Sequence, residues 1–287
     1  MSVSLYEDAA ARLRAGDPAE ARELLRRAAA AGERKAAVVY TNLLGAGVGG
    51  PRDWPQALRL LAGLAPGSRR AAGELALIAG MPLDSEGDPR TVPAGEPLSQ
   101  RPQAVRFRAL LTREECAWLI AAAAPMLSPS VVVDPKTGAQ RPDPLRTADS
   151  VGFTAPLENL AVHALNRRLA AASGTAAEQG EPLQVLRYRP GGEYRAHFDA
   201  IPGFANQRTH TMLVWLNDGF AGGETHFPEA GLTLRGEVGD ALLFRNTLED
   251  GRPDPASAHA GLPVTAGEKW LASRWMRARP FDYSNPR

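Results

Sequence analysis

Two histidines and an aspartate raise the first chemical question. In EYRAHFDA, His197 and Asp199 stand two apart in a segment of strand character, so both side chains leave the same face, with Phe198 expected to pack on the other. Two imidazoles and one carboxylate on one side of a metal are the facial donor set of non-haem Fe(II), which leaves the opposite positions open. An H-x-D pair needs only two residues and arises by chance. It gains meaning only with a distant histidine near a late strand, and His259, 60 residues after Asp199, qualifies. Of the remaining histidines, His163 lies inside a helical segment beside an apolar stripe and reads as structural. His210 and His226 fall in strand or turn context and read as structural or substrate-facing.

The elements that must position these residues follow from periodicity. Short strand candidates come in quick succession, QVLRY, EYRAHFD, THTMLVWLN, LTLRG, DALLF and WLASRWMR, most of them separated by Gly-containing turns. Many short strands without helices between them argue for an antiparallel barrel or double-sheet sandwich. QAVRFRAL precedes them as a further strand. Two helices are expected to buttress one side. One follows a capping box of Thr112 and Glu115, and the other spans 156–172 with Leu157, Ala161, Val162, Leu165 and Leu169 on one stripe.

The first part of the chain reads differently. Residues 4–80 are rich in Ala, Leu and Arg and repeat with a period of 36: Asp17, Ala21, Leu24 and Leu25 recur as Asp53, Ala57, Leu60 and Leu61. An Asp ahead of Pro or Trp-Pro is a helix N-cap, and the paired leucines face a partner helix. The expected organisation is α+β: an all-α helical-repeat domain over 1–82, a Pro-rich linker over 83–101, and a catalytic domain over 102–287.

Composition excludes several classes. Lys plus Arg number 33 against 32 Asp plus Glu, which gives no long-range field to gather nucleic acid or an anionic membrane. With a single cysteine, Cys116, no internal disulfide forms, and MSVSLYEDAA lacks the regions of a signal peptide. No run of 18 apolar residues occurs, so the expectation is a soluble, cytoplasmic protein with no membrane or nucleic-acid partner.

Residues 103–279 resemble the catalytic domain of the prolyl 4-hydroxylases. The likeness is carried by VVVDPKTG and LRTADS, LQVLRYRPGGEYRAHFDA, TMLVWLNDGFAGGETHFPEAGLTLRGEVGDALLFRN, and HAGLPVTAGEKWLASRWMR, in that order. The resemblance implies a double-stranded β-helix, or jelly-roll, fold and an Fe(II)- and 2-oxoglutarate-dependent dioxygenase. Such an enzyme couples decarboxylation of 2-oxoglutarate by O2 to hydroxylation of a peptidyl residue, proline foremost, with L-ascorbate as reductant. It also implies His197, Asp199 and His259 as the metal ligands and Lys269 as partner of the remote cosubstrate carboxylate. Tyr188, Thr225 and Trp275 would stand beside the same cosubstrate. Segment 129–146 resembles the loop and strand that close over peptide, with Arg146 and Arg208 as candidates for gripping its backbone. Where the family reads R-T-S-S-G, residues 146–150 read R-T-A-D-S, and Asp149 adds a charge near the expected substrate mouth. Lys269 stands where nucleic-acid demethylases use Arg, and Asp199 is absent from the related halogenases. The N-terminal period resembles tetratricopeptide-like repeats in about two units, which implies a docking surface for peptide or protein. Two other readings are a hydroxylase of a small molecule or free amino acid, and a non-catalytic scaffold that keeps the fold.

Overall fold

A computed structural model describes residues 4–133, 140–143 and 145–282. Seven helices run in order: α1 (Leu5–Arg14), α2 (Pro18–Ala30), α3 (Arg34–Ala46), α4 (Trp54–Leu64), α5 (Arg69–Gly80), α6 (Arg113–Ala123) and α7 (Leu160–Ser173). The strands before α7 are β1 (Gly95–Gln100), β2 (Gln103–Phe107), β3 (Ser128–Pro129), β4 (Val131–Val133), β5 (Gln140–Pro142) and β6 (Asp149–Phe153). After it come β7 (Leu183–Tyr188), β8 (Tyr194–His197), β9 (Arg208–Trp215), β10 (Ala221–Gly222), β11 (Thr225–Phe227), β12 (Leu232–Leu234), β13 (Ala241–Arg245), β14 (His259–Gly261), β15 (Val264–Ala266) and β16 (Lys269–Arg277).

The described residues divide into two units, one of residues 4–91, 153–171 and 281–282, the other of the rest. In the first, the 36-residue period becomes two helix pairs, α2 with α3 and α4 with α5. Asp17 accepts from the Glu20 amide at 3.3 Å and Asp53 from the Gln56 amide at 2.9 Å, each with Pro in the first turn. Ala21, Leu25, Ala57 and Leu61 are buried on the inward faces.

Helix α7 falls within this first unit, apart in sequence from its other helices. It starts at Leu160, later than the apolar pattern predicts, because Pro156 opens a turn and Asn159 caps the Val162 amide at 3.0 Å. Leu157 is left outside the helix and exposed, whereas Leu160, Ala161, Val162 and Leu165 are fully buried. Glu74 of α5 accepts from the Leu160 amide at 2.8 Å, and Asn42 of α3 donates to the Pro156 carbonyl at 3.1 Å. At Gly45 an added Cβ would lie 2.1 Å from Leu160 Cδ2, so α3 needs glycine where Leu160 seats. Because α7 is all but enclosed, including Asn166 and Arg168, one apolar stripe could not reveal its environment.

The stretch 83–101 is structured, contrary to the linker expected there. Asp88 pairs with Arg52 at 3.2 Å and with Arg167, Gly87 lies against the Trp54 ring, and β1 pairs antiparallel with β2. Pro97 is accommodated because β1 is an edge strand, where a missing N–H is tolerated.

The second unit is a double-stranded β-sheet fold of jelly-roll type. Its large sheet runs β1-β2-β13-β9-β16-β7-β6-β3 and its small sheet β12-β11-β14-β8; from β1 to β7, between β6 and β3, and throughout the small sheet the strands pair antiparallel. Leu186, Leu213, Trp215, Leu242, Phe244 and Leu271 of the large sheet form one core with Phe227 of the small sheet. Phe227 and Phe244 meet edge to face at 5.0 Å. The Thr112–Glu115 capping box forms in both directions at 3.1 and 2.8 Å, and α6 buries Cys116 and Leu119. Of segment 129–146, β4 and β5 pair as a hairpin, while residues 134–139 and 144 lie outside the described residues.

Candidate metal centre and cosubstrate pocket

Period two on β16 decides which residues enter the pocket between the sheets. Lys269, Leu271, Ser273 and Trp275 line it, while Trp270, Ala272, Arg274 and Met276 point to the other side of a strand buried throughout. Tyr188 of β7 is the cross-strand neighbour of Lys269, and Thr211 of β9 that of Trp275.

The small sheet supplies the other wall. His259 opens β14 directly opposite His197 at the end of β8, and the next aligned pair is Gly261 with Tyr194. Between these pairs Ala260 on β14 opposes two residues on β8, Arg195 and Ala196, a bulge that breaks alternation and brings Tyr194 onto the face of His197. Its ring stacks on His197 with centroids 3.5 Å apart. Sequence reading missed Tyr194 because a strict period of two sends a residue three positions away to the opposite face. Phe198, expected to pack beneath, is 50% exposed, since the strand ends at His197 and Asp199 turns in alone.

His197, Asp199 and His259 converge. Their donor atoms lie within 4.8 Å of one another, and among the described residues no other such group of histidine, cysteine and carboxylate side chains occurs. Each Nε2 stands 3.6 Å from an Asp199 oxygen, that of His197 from Oδ1 and that of His259 from Oδ2. The Nδ1 atoms are engaged elsewhere, His197 with the Arg195 carbonyl at 2.8 Å and His259 with the Ser257 carbonyl at 3.0 Å. A carbonyl can only accept, so both Nδ1 atoms carry a hydrogen, which leaves each Nε2, on the Asp199 side, as the nitrogen able to bind a metal. Burial pushes His259 down to about 4 despite the pull of Asp199, which keeps its imidazole neutral. Burial alone would raise the Asp199 carboxyl, but His259 and His197 outweigh it and hold the group below its usual range. A neutral imidazole at His259 and an ionised carboxylate at Asp199 are the protonation states that a metal requires.

Lys269 is 3% exposed, and among the described residues its ammonium has one hydrogen bond, to the Gly223 carbonyl at 2.6 Å, and no carboxylate partner. Burial pushes it down to about 8, against the pull of Glu224. A buried cation with free donors on a pocket wall fits an anion that arrives as ligand. The buried indole N–H of Trp275 also lacks a partner among the described residues, and Thr225 and Tyr188 complete the lining. Charge and unused donors thus suit the remote carboxylate of a 2-oxo diacid whose other end chelates a metal at the triad.

The two arginines separate. Arg146 lines the pocket with its guanidinium 5.2 Å over the Tyr194 ring and Asp143 at 3.5 Å. Arg208 is not available as a grip: Glu181 holds it at 2.6 and 2.7 Å, and its guanidinium lies 4.1 Å over Trp275, backing that wall. Asp149 brings no free charge to the mouth, since Arg187 pairs with it at 2.7 Å and Arg189 at 3.3 Å. The other histidines stay out of the centre: His163 pairs with Glu158, His210 contacts Thr209 and His226 contacts Thr233.

A jelly roll with this triad and a buried lysine that has no carboxylate partner among the described residues defines the class of Fe(II)- and 2-oxoglutarate-dependent dioxygenases. Residues 183–277 match the family described as the 2OG-Fe(II) oxygenase superfamily. The chain is 37% identical over 203 residues to prolyl 4-hydroxylase 1 of Arabidopsis thaliana, covering 64% of this chain and 72% of that one. It is 35% identical over 223 residues to probable prolyl 4-hydroxylase 3 of the same plant, covering 69% and 76%. A viral collagen prolyl hydroxylase of Paramecium Bursaria Chlorella virus-1, solved with 2OG, aligns at TM-score 0.49 and 27% identity, covering 61% of this chain and 96% of that one. The chain belongs to the prolyl 4-hydroxylase family, and it is an Fe(II)/2-oxoglutarate dioxygenase.

Proposed function

We propose that the enzyme hydroxylates proline within a polypeptide. The carrying observation is the convergence of His197, Asp199 and His259 beside the buried Lys269, in a chain that is 37% identical to a prolyl 4-hydroxylase. The chain's own residues divide the work. Nε2 of both histidines and the Asp199 carboxylate hold Fe(II), while Lys269, Thr225 and the Trp275 N–H orient 2-oxoglutarate. The metal with its cosubstrate supplies oxygen activation once bound. The aliphatic and aromatic lining from Leu186, Leu213, Leu271 and Trp275 excludes water. Arg146 and Tyr194 at the pocket, with exposed Phe198 next in chain to His197, offer a cation and aromatic faces suited to a peptide carrying proline.

Ascorbate, which would return an idly oxidised metal to Fe(II), and a cytoplasmic setting complete the reading. The paired helices α2–α5 are assigned a tetratricopeptide-like role in holding the protein target. No described helix is long and apolar enough to cross a membrane. The test is mass spectrometry after incubation with Fe(II), 2-oxoglutarate and proline-containing peptides, set beside free proline. Gain of one oxygen on a prolyl residue is expected. Oxidation of free proline with none of the peptides would move the enzyme to small-molecule substrates.

A further inference from the structure

A buried polar chain backs the Asp199 carboxylate from the large sheet. Thr211 Oγ1 lies 2.6 Å from Asp199 Oδ2, and Asn246 Nδ2 lies 2.9 Å from the same Thr211 oxygen. Thr211 and Asn246 are fully buried on β9 and just past the end of β13.

The direction of this chain is forced. Ionised Asp199 can only accept, so the single hydroxyl hydrogen of Thr211 goes to Oδ2. The Thr211 lone pair must then accept from the Asn246 amide, which fixes that amide with its nitrogen toward Thr211. Among the described residues Asn246 Oδ1 has no hydrogen-bond partner. A buried amide oxygen left unpaired is costly, and reversing the amide would forfeit the bond to Thr211 as well.

The Asn246 backbone extends the chain to a second ligand. Its carbonyl accepts from the Asp254 amide at 2.9 Å, the Asp254 carbonyl accepts from Ser257 Oγ at 2.7 Å, and the Ser257 carbonyl is the acceptor that fixes the His259 tautomer. One residue therefore ties the carboxylate arm and one imidazole arm of the site to a single point of the large sheet.

We infer that Thr211 and Asn246 form a positioning relay that presents Asp199 to the metal through Oδ1, by engaging Oδ2, and holds it in register with His259. The inference rests on the metal reading of the triad. Thr211 and Asn246 act through Asp199 and touch neither metal nor cosubstrate.

The test compares Thr211→Ser with Thr211→Ala in the full chain. Both lose the methyl group, so only the hydroxyl separates them. Mn(II) affinity is read without 2-oxoglutarate from the free-ion electron paramagnetic resonance signal, and the melting temperature of each chelator-treated protein is recorded alongside. Thr211→Ser should bind Mn(II) close to the parent, and Thr211→Ala roughly 10- to 100-fold more weakly, the range for removing an outer partner of a ligand. Asn246→Ala should lose affinity as well, and it carries the comparison if Thr211→Ala fails to melt cooperatively. Equal Mn(II) binding by the Ser and Ala variants, or parental binding by Asn246→Ala, overturns the relay. Absence of Mn(II) binding by the parent instead overturns the metal reading beneath it.

Discussion

Replacing Lys269 by Met should weaken cosubstrate binding without a matching loss of stability in the ligand-free fold. The ammonium is buried with one hydrogen bond, and burial moves it from 10.5 to about 8. At about 1.4 kcal/mol per unit, keeping the charged form folded at pH 7 costs about 3 kcal/mol. Met removes that cost but leaves the Gly223 carbonyl unpaired, at about 1–3 kcal/mol. The ligand-free variant should therefore melt no lower than the parent, and up to a few degrees higher at roughly 2–4 °C per kcal/mol. The sign with pH is fixed too. Between 8 and 10.5 the unfolded chain holds a proton that the folded parent has shed, so the parent gains stability with rising pH there and the variant does not. Adding Mn(II) and 2-oxoglutarate reverses the order, because truncating a buried charge pair costs roughly 2–5 kcal/mol of binding, about 30- to several-thousand-fold. A parent saturated at 100 times its Kd gains about 2.7 kcal/mol that the variant cannot. Paired melting curves with and without the cosubstrate, from pH 7 to 10.5, are the assay. A variant less stable than the parent in both states, or one with unchanged 2-oxoglutarate affinity, would refute the reasoning.

His259→Ala should abolish 2-oxoglutarate turnover and lower iron occupancy while the chain still melts cooperatively; normal iron content by metal analysis would count against the ligand assignment. In metal-free protein, His259 held at about 4 makes stability fall as pH drops from 6.5 to 4, where the unfolded chain takes up a proton that the folded one refuses. Urea unfolding of the parent against His259→Gln should show that slope in the parent alone. Deleting residues 1–91 should give an aggregating or low-melting fragment, because α7 loses Glu74 at its N-terminus and the Gly45 seat of Leu160. A fragment with full solubility and parental melting temperature would contradict this. Gly45→Leu, in the full chain, should cost about 1–3 kcal/mol by overpacking against Leu160, read by chemical denaturation.

Helix α7 and strand β16 show what a sequence can carry. The strand over 270–277 was legible, but Lys269 and Trp275 were pointed to only by the family resemblance, and Leu271 and Ser273 by nothing, because β16 is buried along its whole length and no alternation marks its pocket face. Asp17 and Asp53, each ahead of a proline-bearing first turn, announced their helices. Helix α7 was legible as a helix, but its partners lie some 80 to 120 positions earlier, at Glu74, Gly45 and Asn42, and no local pattern reports such distances. Tyr194 was hidden by a bulge, and Arg208 by Glu181, whose position beside it is set only when β7 and β9 flank β16. Thr211 and Asn246 carry no signal as metal-site residues, since each is an ordinary polar residue at a strand or its end.

The central claim is that this triad and Lys269 couple 2-oxoglutarate decarboxylation to proline hydroxylation. Quantifying succinate and oxygenated peptide in one reaction, with the parent and Asp199→Ala side by side, tests it most directly. The parent should yield one hydroxyprolyl residue for each succinate formed in coupled turnover, and the variant neither product. Succinate without any oxygen gained on a prolyl peptide, or undiminished products from Asp199→Ala, would contradict it.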